Sequence, residues 1–309
     1  MAHLRIPKLL SAGDTIGIVA PGRKLKSEIL DQAVAMLNTW KVNVILGKNI
    51  YSDAHSYMSG TDDERLADFQ HVLDDPTVKC ILCARGGYGS TRFVDRLDFK
   101  SLVKNPKWLV GFSDVTALHL RFFAEGIASV HGTMPVLFPK PETASSIESI
   151  RSVLFDGHCS IDGKPLDENR SGTADGSVVG GNLSLIVESL GTKTEIKTDN
   201  NILFLEEVDE YSYRLDRMMN QLHRAGKLKN LRGLVIGHIT DIKEGDINFD
   251  ESIVDIVRRT TEGTNYPIAF RFQSGHENPN YAWIHGGYAS LVVSHTKVNL
   301  TFSDLKVNS

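Results

Sequence analysis

Over the first 125 residues, short apolar runs alternate with polar stretches that carry apolar residues at helical spacing. Asp14-Thr-Ile-Gly-Ile-Val-Ala20 predicts a strand ended by Pro21-Gly22. Ser27 to Trp40 places Ile29, Ala33 and Leu37 on one helical face. Val42 to Leu46 alternates as a strand does, and Thr61-Asp-Asp-Glu64 is a capping box opening a helix over 65–73, which Asp75-Pro76 closes. A strand over 78–84 leads into the glycine-rich turn Arg85-Gly-Gly-Tyr-Gly89 and a helix running through Val94. The strand Trp108-Leu-Val110 leads into a turn at Ser113 and a helix over 115–125. Strands alternating with helices predict an α/β fold with a doubly wound, mostly parallel sheet. Such sheets bind ligands outside the carboxyl ends of their strands, where both turns lie.

The pattern changes after residue 136. Residues 136–175 are polar and rich in turn signals, among them Pro139-Lys-Pro141, Asp156-Gly157, Asp162-Gly163 and Asp175-Gly176. They predict a first domain over 1–150, a linker over 151–175 and a smaller, β-rich α/β domain over 176–309. In the latter, Asn201–Val208 and Leu231–Ile239 are apolar strands, Tyr213–Ala225 is an amphipathic helix, and 289–294 and 298–302 are strands.

Length and composition exclude several classes. The 309 residues, 41% hydrophobic, suit roughly two domains with cores of their own. A net charge of -4 leaves no basic excess to neutralise a phosphate backbone, so no nucleic-acid partner is expected. No apolar stretch approaches the ~20 residues of a membrane span, and the first residues lack the layout of a secretory signal, so a cytoplasmic location is expected. Three cysteines make no disulfide framework. Cys80 and Cys83 sit in an apolar run that reads as a core strand rather than a redox or zinc site. No metal and no cofactor are expected: no ligand spacing occurs, and Gly86, Gly87 and Gly89 do not reproduce the dinucleotide G-x-G-x-x-G.

The remaining chemistry centres on Ser113. A serine at a sharp strand-to-helix joint either exposes a nucleophilic oxygen above the sheet or simply caps the helix. An activated serine needs a base and a carboxylate that orients the base. Of the 11 histidines, His276 stands apart in the loop Ser274-Gly-His276, where Gly275 can take positive φ. The carboxylate candidates are Glu206 and Glu207, directly after the apolar run 202–205, and alternation does not separate them. The glycine-rich turn and the amide after Ser113 could supply oxyanion donors through Gly87 and Asp114. Arg85 is a candidate for a bidentate contact with a free substrate carboxylate, a structural salt bridge being the equal alternative.

In their order along the chain these pieces resemble the LD-carboxypeptidase family, serine peptidases that remove a terminal D-amino acid from an L-centre. The matching segments are Gly13-Asp-Thr-Ile-Gly-Ile-Val-Ala-Pro21, Met58-Ser-Gly-Thr-Asp-Asp-Glu-Arg65, Ala84-Arg-Gly-Gly-Tyr-Gly89, Gly111-Phe-Ser-Asp-Val-Thr116, His131-Gly-Thr-Met-Pro135, Gly180-Gly-Asn-Leu183, Leu205-Glu-Glu-Val-Asp-Glu210 with Tyr213-Arg-Leu-Asp-Arg217, and Ser274-Gly-His276. The resemblance implies a triad of Ser113 as nucleophile, His276 as base and Glu206 as orienting acid, with the first on one domain and the other two on the second. It implies a flavodoxin-like N-terminal domain, a smaller, β-rich C-terminal domain, and a homodimer acting on a small murein peptide, with release of terminal D-alanine. A branch resembling the microcin-C immunity peptidase implies an alternative, cleavage of a peptidyl or aminoacyl nucleotide. A catalytically silent peptide-binding homologue is a third reading. Departures from the family pattern at Thr133-Met134, Phe270-Arg-Phe272 and Trp283-Ile-His285 bear on the substrate rather than on the triad.

Overall fold

A computed structural model describes residues 4–303 and residue 305. Its strands are β1 (Thr15–Val19), β2 (Asn43–Leu46), β3 (Val78–Cys83), β4 (Trp108–Gly111), β5 (Ser129–His131), β6 (Ser160–Gly163), β7 (Gly172–Asn182), β8 (Ile202–Val208), β9 (Gly233–Thr240), β10 (Ile268–Ala269), β11 (Trp283–His285), β12 (Tyr288–Val293) and β13 (Val298–Phe302). Two compact units result. The first runs to Cys159 and takes up Tyr281–Gly286, and the second holds Ser160–Asn280 and Gly287–Ser303.

The first unit is built on a sheet of order β11-β5-β4-β3-β1-β2. β1 to β5 are parallel, and β11 joins the edge antiparallel to β5. The order 2-1-3-4-5 is the doubly wound arrangement, with its switch point between β1 and β3. All four residues of β4 are buried, as expected of a central parallel strand covered on both faces. Phe69, Val72 and Leu73 of the helix Asp62–Asp74 join Ile81, Leu109, Leu118 and Phe122 in the core. The capping box is present: Thr61 Oγ1 accepts from the Glu64 amide, and Glu64 Oε2 accepts from the Thr61 amide at 2.8 Å. Cys80 and Cys83 are buried, unbridged thiols of β3.

The second unit carries a seven-stranded sheet of order β10-β9-β8-β7-β12-β13-β6. β7 to β10 are parallel and β12, β13 and β6 antiparallel, so the long β7 serves both halves. In the part of β7 that pairs with β8, Gly180 stands opposite Phe204 with φ +137°, and a Cβ there would collide with the Phe204 carbonyl. Among the described residues no helix is long and apolar enough to cross a membrane.

Three features differ from the sequence expectation. Residues 151–175 are not a linker: a π-helical turn, Ser152–Asp156, extends the helix Ala144–Arg151, and β6 with the start of β7 belongs to the second sheet. Polar, turn-rich sequence here encodes an edge strand, in which Ile161 is buried between the exposed Ser160 and Asp162. The chain also returns to the first unit at β11, because Trp283-Ile-His285 is wholly buried against β5. Finally, the helix expected up to Val94 is two short 3₁₀ turns, Ser90–Arg92 and Val94–Arg96. The Ser90 amide and hydroxyl are engaged by the Asp114 carboxylate instead.

β11 completes a buried aromatic stack. His119 lies 5.6 Å from His285, and His131 lies 4.9 Å from Trp283, each pair near-parallel. His119 Nε2 donates to the Gly111 carbonyl at 2.9 Å, and Nδ1 accepts from the Ser129 hydroxyl at 2.8 Å. Burial pushes the His119 pKa down to about 4 and that of His285 well below its ordinary value. The unfolded chain takes up these protons near pH 6.5, whereas the folded chain does not until far lower pH, so acid favours unfolding. Stability is expected to be full above pH 6.5 and to fall by about 3 kcal/mol from His119 alone as the pH drops through about 4. Urea unfolding followed by tryptophan fluorescence checks this, since Trp40, Trp108 and Trp283 all lie in the first unit. A His119→Gln variant should lose much of the pH dependence.

Candidate active site

In the first unit the carboxyl end of β4 turns sharply. Phe112 is extended, Ser113 has φ +63°, and residues 113–115 form a 3₁₀ turn feeding the helix Thr116–Ala124. A left-handed non-glycine residue costs about 1 kcal/mol or more, and such strain recurs where a side chain must be presented for chemistry. The glycine-rich turn after β3 lies against this elbow. A Cβ on Gly86 would stand 3.3 Å from the Phe112 carbonyl oxygen and 3.4 Å from the Asp114 nitrogen.

The Asp114 side chain, which the sequence did not single out, ties the two turns together. It is buried and accepts from the Gly89 amide at 3.2 Å, the Ser90 amide at 3.1 Å and the Ser90 hydroxyl at 2.7 Å. Arg65, also buried, donates from Nη1 to the carbonyls of Pro21 at 2.5 Å and Gly89 at 2.8 Å, bracing the loops after β1 and β3. The amides of Gly87 and Asp114 have no protein acceptor among the described residues. They are therefore available as donors to a developing oxyanion.

In the second unit both glutamates at the carboxyl end of β8 are buried, and they part company. Glu206 Oε2 lies 2.6 Å from His276 Nδ1. Glu207 accepts from Asn182 Nδ2 at 2.7 Å, the Ser184 amide at 2.8 Å, the Ser184 hydroxyl at 2.6 Å and the Val208 amide at 3.0 Å. Glu207 thus caps the helix Leu183–Glu188 and anchors the end of β7.

Burial acts to lower the His276 pKa, but the Glu206 charge and hydrogen bond outweigh it and hold it above the ordinary value. With Nδ1–H donating to Glu206, Nε2 is the nitrogen left to take up a proton. The loop carrying His276 is held by Asn280, whose Oδ1 accepts from the Ser274 hydroxyl and the Gly275 amide, both at 3.0 Å. His238, which reads in sequence only as the end of a strand, accepts on Nδ1 from the Glu277 amide at 3.2 Å and so steadies the other side of the loop.

Gly275 has φ +132°, and a Cβ there would stand 3.0 Å from His238 Cβ and 3.1 Å from Glu206 Cβ. Gly275→Ala is therefore expected to push the imidazole out of register and to lower kcat about 10²-fold with little change in KM. Steady-state kinetics beside a melting curve would check this, and a variant with wild-type kcat would show that the loop tolerates the change. Among the described residues, no group of three or more His, Cys, Asp or Glu could hold a metal ion.

Residues 16–132 match the model of the LD-carboxypeptidase N-terminal domain, and residues 175–291 match that of the LD-carboxypeptidase C-terminal domain. A probable murein peptide carboxypeptidase of Bacillus subtilis (strain 168) is 33% identical over 300 residues, covering 92% of this chain and 91% of the relative. The crystal structure of a muramoyltetrapeptide carboxypeptidase from Oxalobacter formigenes superposes with a TM-score of 0.86 at 27% identity, over 94% of this chain and 99% of that one. An MccF-like protein from Bacillus anthracis str. Ames shares the fold, with a TM-score of 0.84 at 24% identity over 97% and 99% of the two chains.

Proposed function

The chain belongs to the LD-carboxypeptidase family of serine peptidases, and we propose that it releases terminal D-alanine from a murein tetrapeptide by cutting the bond between an L-centre and the D-residue. The observation that carries the chemistry is the 2.6 Å pairing of His276 Nδ1 with the buried Glu206, which leaves Nε2 as a base. In this reading Ser113 Oγ attacks the carbonyl of the L-centre, a meso-diaminopimelate or lysine residue, and His276 Nε2 takes the serine proton. The amides of Gly87 and Asp114 donate to the tetrahedral oxyanion, each worth about 3 kcal/mol in the transition state. His276 then passes its proton to the departing D-alanine amine, and water hydrolyses the acyl group from Ser113. Glu206 holds the imidazole in one tautomer and stabilises the imidazolium. The substrate class rests on the relatives that carry murein peptides in their names.

The test is release of free D-alanine from L-Ala-γ-D-Glu-meso-diaminopimelyl-D-Ala, with the diastereomer ending in L-alanine as control. Turnover confined to the D-terminated peptide is expected. No release by well-folded protein would overturn the murein reading and make a peptidyl-adenylate analogue the next substrate.

A further inference from the structure

We propose that Arg23 and Arg85 together form the recess that holds the free terminal carboxylate of the substrate's D-residue. The inference rests on the carboxypeptidase reading above and deepens it. Three loops meet at the carboxyl ends of β1, β3 and β4: Gly22-Arg23, Arg85 to Gly89, and Ser113-Asp114. A Cβ on Gly22 would collide with the Gly86 carbonyl and stand 3.0 Å from Asp114 Oδ2, and the Arg23 amide donates to the Gly86 carbonyl at 3.0 Å. The Arg23 side chain lies across Gly87, where a Cβ would collide with its Cγ and Cδ. This is the switch point of the sheet, where the order reverses between β1 and β3.

The two guanidinium groups are unlike most others in this unit. Arg92, Arg96, Arg121 and Arg151 each have a carboxylate partner. Arg23 and Arg85 are half-buried, and neither has a carboxylate within ion-pair reach among the described residues. Arg23 sits 4.6 Å over the Tyr57 ring, and no side-chain N–H of it meets an acceptor among the described residues. Among the described residues Arg85 spends only Nη1, on the Lys24 carbonyl at 3.1 Å. Burial and the neighbouring Arg23 charge both disfavour the charged form of Arg85. Adjacent, half-desolvated cations with no counter-ion are costly, and a bidentate anion relieves both charges at once.

Position argues for the terminal carboxylate. It is one residue's length, about 4 Å, from the scissile carbonyl, so its binders must border the oxyanion donors. Arg85 is two residues from Gly87, and Arg23 covers Gly87 itself. A peptide continuing past the D-residue offers a neutral amide in place of the anion, so the recess would make cleavage exo-acting.

The experiment compares kcat/KM for the tetrapeptide as free acid and as C-terminal D-alaninamide, in the wild type, Arg23→Met and Arg85→Met. Wild type is expected to prefer the acid about 100-fold, since hydrogen bonds between charged groups are the strong ones. Each variant should lose 10- to 100-fold on the acid, chiefly in KM, with a much smaller loss on the amide, so that the acid-to-amide ratio falls toward one. Arg85→Lys and Arg23→Gln serve if a methionine variant melts early, with the lysine variant recovering part of the preference because it keeps the charge without the fork. Equal wild-type cleavage of acid and amide, or variants that keep the wild-type ratio, would overturn the recess while leaving the peptidase reading intact. Cleavage of neither peptide removes both.

Discussion

Ser113→Ala is expected to lower D-alanine release at least ~10⁴-fold while leaving binding of the tetrapeptide within a few-fold of wild type. The change removes one oxygen from the elbow. It also relieves nothing that the fold depends on, since alanine at φ +63° carries the same strain as serine. The core beneath, with Val110, Phe112 and Val115 buried, is untouched, so the melting temperature should be close to wild type. Direct binding of the uncleaved peptide to the variant separates loss of chemistry from loss of the site. A variant retaining a tenth of wild-type turnover would remove Ser113 as nucleophile and leave the elbow as a strained turn between β4 and the helix.

Glu206→Gln and Glu207→Gln should part sharply although the residues are neighbours. Glu206→Gln removes the charge facing His276 Nδ1 and admits the wrong tautomer, so kcat is expected to fall ~10³- to 10⁴-fold. The sign of the accompanying pH shift is fixed. A base must be neutral to act, so activity rises as pH climbs through the His276 pKa, which Glu206 holds above the ordinary 6.5. Without that charge burial acts less opposed, the pKa falls, and the acidic limb of the kcat/KM profile moves to lower pH. Glu207→Gln leaves the His276 contact in place but weakens the cap of the helix Leu183–Glu188, so its loss should appear in stability, by about 1 kcal/mol, more than in the pH profile. A pH profile unchanged in Glu206→Gln, or shifted equally in both variants, would contradict these roles.

The parallel sheet was legible because its strands are nearly unbroken apolar runs bounded by Pro, Gly and a capping box. Those signals are local, and Thr61, Glu64 and the buried run 78–83 stand as the pattern requires. The choice between Glu206 and Glu207 was not legible from the pattern. All of Ile202 to Glu207 is buried, so alternation carries no information about faces, and a register shift against β9 falls at these very residues. The resemblance pointed to Glu206, and the structure gives it the His276 contact.

What the sequence by itself determined was the first four strands of the parallel sheet, the turn after β3 and the elbow at Ser113, because each resides in a few consecutive residues, and the family, because the order of its short segments along the chain is itself a sequence property. Only the tertiary structure decided the rest. It took Trp283-Ile-His285 out of the expected second domain and paired it with β5, more than 150 residues away. It made the Asp114 side chain, whose amide alone the sequence had singled out, the clasp of the glycine turn. It brought Arg23 beside Arg85, since β1 and β3 are neighbours in space and not in sequence. The physical reason is common to all three: sheet pairing and desolvation join segments that no local pattern connects, and charge and hydrogen-bond satisfaction are settled only once the partners are in place.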